Sequence, residues 1–204
     1  MLERCFGWRG LLVEGHPILF ERLRQNRPSS LSIHLAACAT EGWAQYEAWP
    51  WTGAKIKGAA AAGAKPKASV GTHTHLTECA PVGERLLQIG VQRLDLVSID
   101  VEGSELTVVE SLLRATKGGL SIGVILVEVR PDGQRRTLMT ALLGAGLRYV
   151  GQLRARASEA NDVVDDCYVN ATHHRHYFPQ SSAAAKLADV DRGGAPRPRP
   201  ALQF

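Results

Sequence analysis

Three carboxylates, Asp100, Glu102 and Glu105, follow directly on the apolar run of "DLVSIDVEGSEL" (95–106). Glu14 closes "LLVE" in the same manner, and Glu128 closes "VILVE". Burying a carboxylate is expensive unless something compensates it. The pattern has a use where strand ends open on a ligand. In open parallel sheets ligands bind outside the carboxyl ends of the strands, and an acid ending the second strand accepts hydrogen bonds from both hydroxyls of a ribose. The spacing therefore points to the mouth of a nucleotide-type cofactor pocket. Plainer roles exist for most of these acids. Glu14 lies just before a helix start at Pro17, and Glu128 could be a solvated strand end. Glu102 and Glu105 lie near another helix start, whose positive end stabilises acids by roughly 0.3–1 kcal/mol each. Asp100, directly after apolar Ile99, is explained least well in this way, and Gly103 allows the turn behind it an unusual backbone angle or a close ligand approach.

The elements that must position these residues are legible. "RGLLVEGHP" (9–17) predicts a short strand ending in Glu14, and "PILFERLRQ" a helix with Pro17 at its first position and Leu19, Phe20 and Leu23 at helical spacing. "LSIHLAACA" (31–39) predicts a second strand. "RLDLVSID" (93–100) and "IGVILVEV" (122–129) predict two more, too continuously apolar to be half exposed. Between them "SELTVVESLLRA" aligns Leu106, Val109, Leu112 and Leu113 on one helical face and stops at Gly118-Gly119. "RRTLMTALLGAG" predicts a further helix, and "LRYVGQL" and "DVVDDCYVN" two late strands forming an antiparallel pair or edge. Strand-helix alternation is the signature of an α/β fold with a parallel sheet, and the step from Asp100 to Ile122 suits one βαβ crossover.

Composition sets the outer limits. The chain has 204 residues, 45% hydrophobic and 22% charged, enough for one domain with a real core. No apolar run is long enough to span a membrane, and "MLERCFGWRG" lacks a signal-peptide pattern. The net charge of +4 invites a nucleic-acid role, but Lys55, Lys57, Lys65 and Lys67, all in one low-complexity stretch, account for that surplus by themselves. The tail from Ser181 is also basic, so the folded body is left slightly acidic and no nucleic-acid face is expected on it. Residues 52–72 read as a flexible Ala/Gly/Lys insertion within a domain of residues 1–180, and residues 181–204 as a disordered Pro/Arg-rich tail. Cys5, Cys38, Cys79 and Cys167 are irregularly spaced and are expected to be reduced thiols, consistent with a cytoplasmic address.

"GWRGLLVEGHPILFERLRQNRP", "RLDLVSIDVEGSEL", "VILVEVR" and the late "NDVV" together resemble the FkbM family of S-adenosylmethionine-dependent methyltransferases, from about Leu2 to about Val169 outside the insertion. The resemblance implies a Rossmann-like class I methyltransferase sheet, mostly parallel with an antiparallel late strand. It implies S-adenosyl-L-methionine as cofactor and O-methylation of a small-molecule or glycan hydroxyl. Carried over by position, Glu14 holds the donor ribose, Ala37 and Cys38 lie near the adenine, and Asp100 faces the reacting methyl group with Glu102 behind it. Glu128 closes the acceptor side, where a carboxylate can orient or deprotonate a hydroxyl. Asp100 and Glu128 are the candidate catalytic pair for in-line transfer from sulfonium to oxygen.

Two departures from the family stand out. The family opens with one more strand and a glycine-rich loop of the kind D-x-G-A-N-x-G, and neither is found in these residues. The expectation is an N-terminally incomplete domain whose donor half-site is weak. The strands ending at Glu14 and Asp100 must then either pair directly or leave two open edges. Gly15 also stands where the family often has proline. The histidine groups "GTHTHLTEC" and "NATHHRHYF" match no strong zinc spacing, and no metal site is expected. A nucleotide-sugar or dinucleotide enzyme on a similar sheet, and a degenerate domain kept for binding, are the competing functions.

Overall fold

The computed structural model describes residues 7–47, 56–61, 74–129, 134–154 and 164–173, together with Glu3 and Cys5. The fold is mixed α/β. Strand β1 (Leu11–Glu14) leads through helix α1 (Pro17–Asn26) into β2 (Leu31–His34), which pairs with β1 in parallel from Leu11↔Leu31 to Glu14↔His34. Pro17 opens α1, where its missing N–H costs nothing. The run expected as one strand over 31–39 breaks at Leu35. Ala36–Ala37 form a separate β3 in another sheet, paired in parallel with β6 (Thr74–Ala80).

That second sheet has the order β3-β6-β4-β5, with β4 (Gly42–Glu47) antiparallel to both β6 and β5 (Ile56–Ala61). Within the Ala/Gly/Lys segment expected to be flexible, residues 56–61 form β5, five of them paired with β4, and the others between 52 and 72 fall outside the described residues. The tail from 181 also lies outside them. Cys38 and Cys79 form a disulfide, with Cα atoms 5.5 Å apart. This overturns the expectation of four thiols. Cys38 directly follows β3 and Cys79 lies in its partner β6, so the pairing of these strands brings the two cysteines near each other although they are 41 residues apart in sequence. Cys5 and Cys167 are free.

The third sheet carries the βαβ unit. Helix α2 (Val82–Gln88) precedes β7 (Arg93–Ile99), followed by α3 (Glu105–Lys117) and β8 (Ser121–Val129), parallel to β7 from Arg93↔Ser121 to Ile99↔Val127. Helix α3 buries Val108, Val109, Leu112 and Ala115 and ends at Gly118-Gly119, where Gly119 has φ 101°. Helix α4 (Gln134–Gly144) buries Leu138 and Leu142 and leads to β9 (Arg148–Arg154). Strand β10 (Val164–Val169) inserts antiparallel between β8 and β9, giving the order β7-β8-β10-β9 and confirming the late antiparallel pair.

Among the described residues parallel pairing is confined to β1–β2, β3–β6 and β7–β8, and antiparallel pairs are as prominent, which departs from a mostly parallel sheet. Strands β1 and β7 do not pair: they lie in different sheets, and each has a partner on one side only among the described residues. They nevertheless share a core, because Leu11 and Ile33 of the two-stranded sheet pack against the cluster built from Ile99, Val109, Leu112, Ile125 and Val127.

Candidate functional site

Two strand ends of the third sheet bring the expected acids together. Asp100 follows Ile99, whose register partner Val127 directly precedes Glu128, so the two acids leave neighbouring strand ends. Glu128 is only 6% exposed, which excludes the solvated strand end that was its plainer alternative. On the far side of β8, Asp165 stands directly opposite Glu128. Burial raises the Asp165 carboxyl above the ordinary aspartate range, and the nearby charge of Asp100 raises it further. Asp165 belongs to the same rim and was not singled out by sequence reasoning. The signal for it was an acid inside an otherwise strand-like run.

The turn between β7 and α3 has a special backbone. Glu102 has φ 55°, a left-handed conformation that costs a non-glycine residue about 1–3 kcal/mol, and Gly103 follows at φ 110°. Glu105, 5% exposed, stabilises the turn: its Oε1 accepts the Gly103 N–H at 2.9 Å and the Val101 N–H at 3.3 Å. Glu105 therefore has the local role expected of an acid at a helix start. Gly103, Glu105, Glu128, Val129, Gln134, Arg135 and Leu138 line a small, partly open cleft. Asp100 and Glu102 are not among its lining residues.

The other candidate residues sit on the far half of the fold. Glu14 ends β1, and its Oε1 accepts the N–H of His16 at 2.7 Å, the residue that caps α1. This is the helix-start role considered for it, and it also fixes the carboxylate. The loop behind Glu14 is clamped at Gly15, whose carbonyl oxygen meets Thr77 Oγ1, which donates at 2.8 Å, and His34 Nε2 at 3.1 Å. A Cβ on Gly15 would run into the Tyr46 hydroxyl and lie 3.0 Å from the Ala36 Cα. Glycine replaces the family's frequent proline here because neighbours fill the space a side chain would take. Burial, with the Glu14 charge second, holds the Tyr46 phenol well above its usual range.

Ala37 is partly buried and packs against the main core. Cys38 is 7% exposed, its sulfur is bonded to Cys79, and its N–H donates to the Ala80 carbonyl at 3.2 Å. It can form part of a wall but offers no thiol to a ligand. The histidine groups dissolve into separate local roles. His75 packs edge-on to His16, with ring centroids 5.2 Å apart. His173 joins Ser121 Oγ (2.8 Å) to Asp95 Oδ1 (3.0 Å), tying the end of β10's segment to the starts of β7 and β8. His73, His174 and His176 lie outside the described residues. Among the described residues no three His, Cys, Asp or Glu side chains are grouped to hold a metal, and no helix is long and apolar enough to cross a membrane.

No curated protein matches the chain. Among solved structures, one described as "Crystal structure of putative acetyltransferase from Sphaerobacter thermophilus DSM 20745" aligns at 23% identity over 40% of this chain and 56% of that one. Its TM-score is 0.27, so it bears on neither fold nor function here. The chain spans little more than half of that protein's length. The model of the Methyltransferase FkbM domain, by contrast, matches residues 3–163. That span takes in the Glu14 loop, the β7–α3 turn and Glu128, and on this match the chain belongs to the FkbM methyltransferase domain family.

Proposed function

We propose that this domain is an S-adenosyl-L-methionine-dependent methyltransferase acting on a hydroxyl of a small molecule or glycan. The observation that carries this reading is the convergence of strand-end acids from β7, β8 and β10, beside a strained turn, within the span of the family match. Strain of that kind persists where the surrounding structure over-determines it, and ligand-binding turns are a common place for it.

In this reading Glu14 accepts the ribose hydroxyls, with Ala37 and the Cys38 backbone as the wall beside the adenine. Asp100 faces the sulfonium end, and Glu102 stands behind it. When bound, the donor would supply an electrophilic methyl group, its sulfur departing as the thioether of S-adenosylhomocysteine. The residues of this chain supply placement, worth several kcal/mol when a nucleophile is held in a near-attack geometry. Glu128 orients the acceptor hydroxyl and accepts its proton as the new bond forms. A neutral or polyhydroxylated small acceptor, rather than nucleic acid, fits the slightly acidic body.

Isothermal titration with S-adenosylhomocysteine, run beside a nicotinamide dinucleotide, tests this reading. Heat with the first compound alone supports it. Heat with the dinucleotide alone favours the competing nucleotide enzyme, and silence with both means these residues do not hold the donor.

A further inference from the structure

Asp166 is fully buried and accepts five hydrogen bonds. Arg135 donates twice, Nε to Oδ2 at 2.9 Å and Nη2 to Oδ1 at 3.0 Å. Gln152 Nε2 donates to Oδ1 at 3.2 Å, and the hydroxyls of Tyr149 and Tyr168 lie at 3.4 and 3.5 Å. These partners come from α4, β9 and β10. A well-packed apolar group is commonly as stable as a buried ion pair, so stability alone is a weak reason for one. The pair does fix something: the head of Arg135, a residue whose side chain is 43% exposed and which lines the cleft with Glu128. A planar guanidinium held by a two-pronged carboxylate contact has a set orientation that a lysine cannot reproduce.

The charge balance gives the cleft a preference. Asp166 cancels the charge of Arg135, while Glu105 and Glu128 line the cleft and Asp165 stands opposite Glu128. The cleft thus offers a directed donor but no net positive charge. It is a small, partly open cleft, so an acceptor meets it with only a few of its hydroxyls.

We infer that Arg135 is an acceptor-binding residue, that Asp166 is its positioning residue, and that together they select an uncharged polyhydroxyl acceptor over an anionic one. One acceptor oxygen takes a hydrogen bond from Arg135 while a neighbouring hydroxyl donates to Glu128. The inference rests on the acceptor side of the proposed function.

Saturation-transfer NMR of the 204-residue protein tests it, with methyl glucoside as the neutral probe and glucuronate as the anionic one. The wild type is expected to saturate the glucoside and not the glucuronate. Arg135→Gln should weaken glucoside binding about tenfold or more, the scale of a lost charged hydrogen bond, and Arg135→Lys should fail to restore it. Asp166→Asn, where circular dichroism shows it folded, should weaken the glucoside as Arg135→Gln does. No glucoside saturation on the wild type, glucuronate binding as tight as glucoside, or unchanged binding by Arg135→Gln would each overturn the inference. S-adenosylhomocysteine titrated in parallel separates the two ideas. Glucoside binding without donor binding removes the methyltransferase reading and leaves the cleft's selectivity intact.

Discussion

Reducing the Cys38–Cys79 bridge should lower stability by an amount set mainly by the chain it closes. The cysteines are 41 residues apart, and the loop-closure entropy of a cross-link of that span is worth about 4 kcal/mol at room temperature. Little is lost in packing, because both residues are buried (7% and 1% exposed) and a reduced cysteine still fills its site as a small apolar group. With a urea dependence of roughly 2 kcal/mol per molar, the unfolding midpoint should fall by about 2 M. The assay is urea unfolding with and without a thiol reductant, in a Cys5→Ser/Cys167→Ser background so that no other thiol can exchange. Thiol titration of the denatured, unreduced wild type should find the two free cysteines and no more. Four titratable thiols, or unfolding curves that superimpose with and without reductant, would refute the reasoning. The same experiment bears on the cytoplasmic address expected from sequence, because a reducing compartment holds such a pair as thiols and an oxidising one keeps the bridge.

Further outcomes follow from the site. Gly15→Ala should destabilise the protein by about 1–3 kcal/mol through overpacking, and Tyr46→Phe in the same chain should recover part of the loss, as read by urea unfolding. Asp165→Asn should stabilise the protein at neutral pH and not at acid pH. The folded-state carboxyl lies above its ordinary value, so the favourable contribution of the protonated form is present at low pH and lost as pH rises through the folded value. Thermal unfolding at the two pH values checks this, and a variant less stable at neutral pH would show that ionised Asp165 has a favourable partner. Glu105→Gln should disturb donor-side binding less than Asp100→Asn, because an amide oxygen can still accept the Gly103 N–H; comparative titration with S-adenosylhomocysteine reads the difference.

The third sheet was legible in the sequence because its strands and helices carry strong apolar periods. Strands β7 and β8 and helix α3 bury Ile99, Ile125, Val127, Val109 and Leu112, large residues at the spacing each element requires. The second sheet was hard to see for the opposite reason. Its inward positions are Ala36, Ala44, Tyr46, Thr77 and Cys79, mostly small or weakly polar, and the alternation in "GWAQYE" does not stand out as a hydrophobic one. Without that sheet the cysteine pairing could not be read, because the β3–β6 pairing is what brings the end of β3, and Cys38 after it, near Cys79. The candidate site shows the same division. Asp100, Glu102 and Glu128 announced themselves by ending apolar runs. Asp165 and Asp166 lie in a strand whose antiparallel partner was not fixed by the sequence, and only the pairing with β8 reveals which of them faces the rim and which is buried under Arg135.

The central claim is that Glu14 and Asp100 serve one adenosyl-sulfonium molecule, and it is tested most directly by a ¹H–¹⁵N NMR titration of the whole chain with S-adenosylhomocysteine, a method that registers weak as well as tight binding. The amides of Gly15 and His16 should shift together with those of Val101 and Gly103 along one saturation curve, and Glu14→Gln should weaken the response at both places. Shifts confined to one of the two loops, or two curves with different midpoints, would contradict it.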